Sequence, residues 1–143
     1  MSNGTSVTIV GNLTKDPEER ATMNGGAITS FSVASSRRWK NKNDEWEEET
    51  SYFDVTAWAE LGKNAAKSLK KGNRVVVVGR LKQESWSDKN GDKRNKIVVI
   101  AEDIGASVRL ASIPQIVKNE SNGNYGRSEA PKQPVWDDQE EPF

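Results

Sequence analysis

One periodicity recurs five times in this chain and breaks once. Residues 7–13, 27–36, 51–59, 75–86 and 96–110 are rich in β-branched and apolar side chains, and several of these runs alternate with polar ones, the period-two signature of strands. Residues 60–72 depart from it. There Leu61, Ala65, Ala66 and Leu69 fall on one helical face, the lysines lie elsewhere, and Gly72 is placed to end a helix. Residues 15–26 are polar, contain Pro17 and close on Asn24-Gly25-Gly26, which predicts a loop. Residues 37–49 form a charged excursion, most simply a long hairpin tip around Lys42-Asn43-Asp44. A second hairpin signal is Asp88-Lys89-Asn90-Gly91-Asp92.

The predicted order is β-β-β-α-β-β. It implies an all-β fold, a five-stranded OB-fold Greek-key barrel with one helix between strands three and four. Composition limits how far that barrel extends. Apolar residues make up 34% of the 143, and from Lys118 onward there is hardly an aliphatic side chain, too few to offset the entropy of ordering. The expected organisation is an OB-fold domain over 1–112, a flexible linker over 113–135 and a disordered acidic tail whose tip is 136–143. Charge divides along the same line. Three basic residues face six acidic ones after position 112, so the tail carries −3 and the first 112 residues of this neutral chain carry +3. A mildly basic domain suits an anionic ligand, and an acidic tail suits a basic partner.

In the tip, Asp137, Asp138, Glu140 and Glu141 keep the chain solvated, Pro142 restricts the backbone, and Phe143 sets an apolar ring beside a carboxylate. A partner with a basic rim and a small hydrophobic pocket would hold all three features. Read as a charge run alone, the same residues are a solubilising tail.

Strand parity separates the large aromatics from the core. Phe53, Val55, Ala57 and Ala59 share one face of the third predicted strand; Tyr52, Asp54, Thr56 and Trp58 share the other. On the fourth, Trp86 shares a face with Arg80 and Lys82. Trp39 follows Arg37 and Arg38 and precedes Lys40 at the base of the long hairpin. Exposed rings interleaved with cations suit single-stranded nucleic acid, whose unpaired bases stack on flat surfaces while Lys and Arg neutralise phosphates. Stacking is nearly blind to base identity and does not by itself separate DNA from RNA. Trp46 lies in Glu45-Trp46-Glu47-Glu48-Glu49, where acids would repel phosphate, and is left out of the expected set; Trp136 belongs to the tail.

Other functions find little support. Cysteine and histidine are absent, which removes disulfides, thiolate chemistry, the usual zinc sites and the commonest general base. Asp54 and Glu60 lie near the aromatics without a nucleophile or a phosphate-cradling loop. The expectation is no catalytic residue, no metal, no cofactor and no enzyme activity. No hydrophobic run approaches spanning length and residues 1–4 do not start a signal peptide, so a cytoplasmic protein without a membrane partner is expected. A pure assembly module is the remaining rival, and Arg80, Lys82 and Trp86 on one face argue against it.

Taken together, Val10-Gly11-Asn12-Leu13, Asp16-Pro17-Glu18, Asn24-Gly25-Gly26-Ala27, Phe31-Ser32-Val33-Ala34, Leu69-Lys70-Lys71-Gly72, Val78-Gly79-Arg80-Leu81 and the acidic-Pro-Phe ending resemble the bacterial single-stranded DNA-binding protein family, most closely its actinobacterial branch or a phage copy of it. The resemblance covers essentially the whole chain. It implies a homotetramer that wraps single-stranded DNA, binds it without sequence preference in replication, recombination and repair, and works at replication sites in the nucleoid. It places base stacking on Trp39, Tyr52, Trp58 and Trp86; the neighbouring Arg37, Arg38, Lys40, Arg80 and Lys82 are the cations expected at the phosphates. It places the docking of replication and repair proteins on Asp137, Asp138, Glu140, Glu141, Pro142 and Phe143. The chain departs from the family in Glu141, where an aliphatic residue or proline is common, and in a short linker without long Gly or Gln tracts.

Overall fold

Valines and isoleucines at alternate positions need a second surface to cover them, and here the sheet supplies it by closing on itself. The computed structural model describes residues 4–119. The chain divides into two units, Met1–Ala111 and Ser112–Phe143. All helices and strands of the described residues lie in the first: β1 (Ser6–Leu13), β2 (Glu18–Ala21), β3 (Ala27–Lys40), β4 (Trp46–Trp58), α1 (Ala59–Ser68), β5 (Arg74–Ser87) and β6 (Lys93–Ala106). Residues 112–119 form neither helix nor strand.

Five strands make a ring. β1 pairs antiparallel with β5 from Ser6↔Arg80 to Asn12↔Arg74, and β5 pairs with β6 along their whole lengths. β6 then meets β4 in parallel at Val55↔Val99 and Thr56↔Ile100. β4 pairs with β3, and β3 returns to β1 at Asn12↔Ala34 and Leu13↔Val33. This is the expected five-stranded barrel, with its helix between the third and fourth strands of the ring. Inside it Ile9, Leu13, Phe31, Val33, Val55, Val75, Val77 and Val99 are buried against one another, each contributing roughly 1.5–3 kcal/mol by leaving water.

Two glycines permit the geometry. A Cβ on Gly11 would lie 2.2 Å from the Ala34 carbonyl oxygen, so β1 reaches β3 only because that atom is missing. A Cβ on Gly79 would meet the Ile100 carbonyl oxygen at the same distance, at the point where the β5–β6 register slips by one residue. Such a bulge adds the local twist and bend that a small barrel needs.

α1 covers one end of the core with buried Ala65 and partly buried Leu61, and Leu69, just past its end, is buried beside them. Thr29, fully buried on β3, ties the helix down by donating its hydroxyl proton to the Gly62 carbonyl at 2.8 Å.

The structure departs from the sequence reading in four places. The helix stops at Ser68 with Leu69 already extended, and Gly72 (φ +89°) lies in the following turn, where its N–H donates to the Leu13 carbonyl at 2.8 Å. Ala59 lies outside the core; in the left-handed region (φ +55°) it begins α1 and turns the chain sharply after Trp58. The predicted loop over 15–26 contains β2, a sixth strand added outside the ring. All its side chains are exposed, so it carries no apolar alternation, and the free edge of β3 supplies its hydrogen bonds. The charged excursion over 37–49 is largely ladder, continuing without a break to Lys40↔Trp46.

Gly11→Ala forces the seam between β1 and β3 apart and is expected to cost about 1–3 kcal/mol, as overpacking does. Urea denaturation measures it, and an unchanged midpoint would show that the seam is not the tight contact described.

Candidate nucleic-acid interface

Beyond the ring, two pairs of strands continue as two-stranded ribbons. β3 and β4 are paired only with each other over residues 35–40 and 46–51. β5 and β6 do the same towards the turn at Asp88. A ribbon with no third strand leaves both faces to solvent, so side chains there are free to contact a ligand.

The β3–β4 register runs without a slip from Ile28↔Trp58 to Lys40↔Trp46, so parity fixes every face. With Val55 and Ala57 in the core, the even-numbered residues of β4 point outward. Tyr52 is 70% exposed and Trp58 50%. Six residues apart at about 3.3 Å per residue, their backbones are roughly 20 Å apart along one strand. Between them Asp54 and Thr56 border an open groove of about 530 Å³ whose floor includes Ile28, Ser30 and Val98. Its rims carry both signs, so the groove by itself is not a phosphate channel.

Trp86, 46% exposed, stands on the other ribbon, opposite Arg94. With Lys82 and Lys96 it lines a second, shallower groove of about 600 Å³. Lys96 joins the two surfaces. Its Nζ lies 5.9 Å from the centre of the Trp86 ring and 3.7 Å from Asp54 Oδ2. Sequence reasoning missed this lysine, because only the closed ring brings β6 beside β4.

The predicted cations divide into two groups. Arg80 is half-buried opposite Ser6 and Ile100, and Lys82 is exposed opposite Val98; neither forms a salt bridge among the described residues. Arg37 is engaged, its Nε 3.4 Å from Glu49 and its guanidinium 4.8 Å from the Trp39 ring. Arg38 and Lys40 each lie 5.3 Å from the Trp46 ring, and Lys40 also reaches Asp44 at 3.8 Å.

Two readings of the aromatics change. Trp39 has odd parity and faces Glu47, so it lies on the reverse of the ribbon from Tyr52 and Trp58, half-buried under Arg37. Trp46 has even parity and shares the Tyr52–Trp58 face. Its sequence neighbours Glu47 and Glu49 point the opposite way, while Arg38 and Lys40 approach its ring. The acidic surroundings used to set Trp46 aside belong to the linear sequence and not to the folded face. Extending the alternation six residues back from Tyr52 would have found it. The tip residues Asp137 to Phe143 lie outside the described residues.

The β5–β6 turn is held by one carboxylate. Asp88 Oδ1 accepts from the Asn90 and Asp92 amides at 2.9 and 3.0 Å, and Oδ2 accepts from Arg94 Nε at 3.0 Å. The Arg94 guanidinium, then the Asp92 amide and to a lesser extent that of Asn90, hold the Asp88 carboxyl below the usual carboxylate range against a small opposing effect of burial. Gly91, at φ +79°, closes the turn. Among the described residues no cluster of acids suits a metal ion, and no helix is long and apolar enough to cross a membrane.

The chain is similar to several known proteins. Residues 5–107 match the single-strand binding protein family. The single-stranded DNA-binding protein of Paenarthrobacter aurescens is 40% identical over 128 residues, covering 88% of this chain and 74% of that one. That of Mycobacterium tuberculosis H37Rv is 41% identical over 133 residues, covering 92% and 80%. Among solved structures, a small single-stranded DNA-binding protein from Streptomyces coelicolor superposes with a TM-score of 0.62 at 31% identity, over 75% of this chain and 97% of that one.

Because the folded pKa of Asp88 is depressed, its stabilisation of the turn is complete above the ordinary carboxylate range and is lost as pH falls through the folded value. A carboxyl NMR titration should place Asp88 below the ordinary aspartate range, and Asp88→Asn should remove the low-pH change in the amide signals of Asn90 and Asp92. An ordinary midpoint for Asp88 would mean that the turn is not held this way.

Proposed function

The chain belongs to the single-strand binding protein family, and from that premise we propose that it coats single-stranded DNA without sequence preference. The observation that carries the reading is the even-numbered face of β4, where Tyr52 and Trp58 stand exposed over the barrel. Trp86 joins them from the second ribbon through Lys96.

Bases stack on Tyr52, Trp58 and Trp86, and the backbone passes Arg80 and Lys82. Arg38 and Lys40 receive phosphates on the β3–β4 ribbon, and Arg37 does so by exchanging Glu49 for phosphate. Trp39, on the reverse face, receives a base only where the strand wraps the ribbon. The protein works by binding alone: a strand laid over these rings is kept from re-pairing. Asp54 and Glu84 on the groove rims repel a misplaced phosphate and so favour bases inward and phosphates outward.

The same proposal, supported by the family resemblance, includes a homotetramer in the cytoplasm, acting at the nucleoid in DNA replication, recombination and repair. The domain over 1–112 binds DNA, the linker over 113–135 gives reach, and Asp137, Asp138, Glu140, Glu141, Pro142 and Phe143 dock the enzymes of those processes.

Titration of intrinsic tryptophan fluorescence with poly-dT, duplex DNA and the matching RNA tests the first part. Saturable quenching by poly-dT, little by duplex and weaker binding to RNA are expected. Trp58→Ala should weaken poly-dT binding by about 1–3 kcal/mol, the worth of one stacked base. Affinity should fall with salt, as release of counterions requires. Absence of quenching by any nucleic acid would leave the rings to packing or assembly.

Deleting residues 137–143 should preserve poly-dT affinity and abolish capture of replication and repair enzymes. Loss of DNA binding on that deletion would sink the division of labour between barrel and tip.

A further inference from the structure

Trp46 is a large, exposed ring that the reading above does not use. It is 61% exposed near the far end of the β3–β4 ribbon. It lies six residues before Tyr52, just as Tyr52 lies six before Trp58, so the three rings occupy one face of one strand at equal steps. We propose that Trp46, flanked by Arg38 and Lys40, is a further stacking position for single-stranded DNA, carrying the strand's path roughly 20 Å beyond Tyr52. The inference rests on the single-strand-binding reading and deepens it.

The local electrostatics favour a polyanion despite the acidic sequence. Glu49 is on the reverse face and paired with Arg37 at 3.4 Å; Glu47, also reversed, accepts from Asn41 Nδ2 at 3.2 Å. Glu48 shares the Trp46 face, where it stands directly opposite Arg38. Two cations thus stand over the ring itself, each 5.3 Å from its centre.

The ribbon end is built to hold this arrangement. Asn41 Oδ1 accepts from the Asn43 and Glu45 amides at 2.9 and 3.0 Å, and Asp44 takes the left-handed conformation that tightens the turn. Further along, the Ser36 and Thr50 hydroxyls bond across the strands at 2.8 Å.

A role as an internal staple explains less. Exposed cation–π contacts are weak, and a ring needed only for packing would be covered. Stacking a base on the same ring is the stronger interaction. The cations stay beside it and turn to the phosphates.

The test is ultraviolet cross-linking of the full-length protein to an oligo-dT in which some thymines are replaced by 5-bromouracil, with peptide mapping. It is read beside poly-dT affinities of Trp46→Ala, Trp46→Phe and Trp58→Ala. Expected are a cross-link on Trp46, a loss of about five- to tenfold for Trp46→Ala, and recovery of most of it by Trp46→Phe, since stacking needs a ring and not an indole. Cross-links confined to Tyr52, Trp58 and Trp86, with Trp46→Ala binding as the parent does, overturn this proposal and leave the general function intact. A parent protein that does not bind poly-dT overturns both.

Discussion

The seam between β1 and β3 is the contact on which the rest depends. Its ladder pairs are Asn12↔Ala34 and Leu13↔Val33, at the end of a strand otherwise paired to β5, and the Thr14 amide extends it by donating to the Ser32 carbonyl. Without it the five strands are an open sheet with one bare apolar face. With it that face becomes an interior, and Ile9, Phe31, Val55, Val77 and Val99 meet one another. The approach requires backbone against backbone, which is why Gly11 stands there. The seam also lays Leu13 where its carbonyl accepts from Gly72 and its amide donates to the Asn73 carbonyl, tying the turn after the helix to the barrel.

Closure decides what the remaining surface does. A small ring uses only part of each long strand, so β3 and β4, and β5 and β6, run on as ribbons. Inside the ring one face of every strand is committed to the core. On the ribbons neither face is, and large rings stand in solvent at the modest cost expected for amphipathic aromatic side chains. The barrel and the bare ribbons thus form one device: the first fixes the register and bears Tyr52 and Trp58 on its outer face, and the second carries Trp46 and Trp86 beyond it.

Much of this was legible in the chain. The outward direction of Tyr52 and Trp58 follows from period two alone, because Val55 and Ala57 between them have no reason to face water. The helix on the core, by Leu61 and Ala65, follows from its own period, and the turn at Asp88 from Asp, Asn and Gly in close succession. β2 was not legible, since its four exposed residues carry no pattern and owe their conformation to the edge of β3. Trp39 and Trp46 were sorted by their neighbours in sequence, whereas a strand separates sequence neighbours onto opposite faces and gathers residues from its partner. Glu47 and Glu49 therefore lie behind Trp46, and Arg38 and Lys40 lie against it.

What the sequence by itself determined is local: which residues alternate, where the single helix falls, and where glycine and asparagine turn the chain. Those properties depend on side chains a few positions apart, whose steric and hydrophobic preferences act within one segment. What only the tertiary structure decided is which segments face one another. The parallel contact of β6 with β4 brings Lys96 between Asp54 and Trp86, residues 42 and 10 positions from it in the chain. Electrostatic and stacking interactions act through space, so the character of the binding face exists only once the ring has closed.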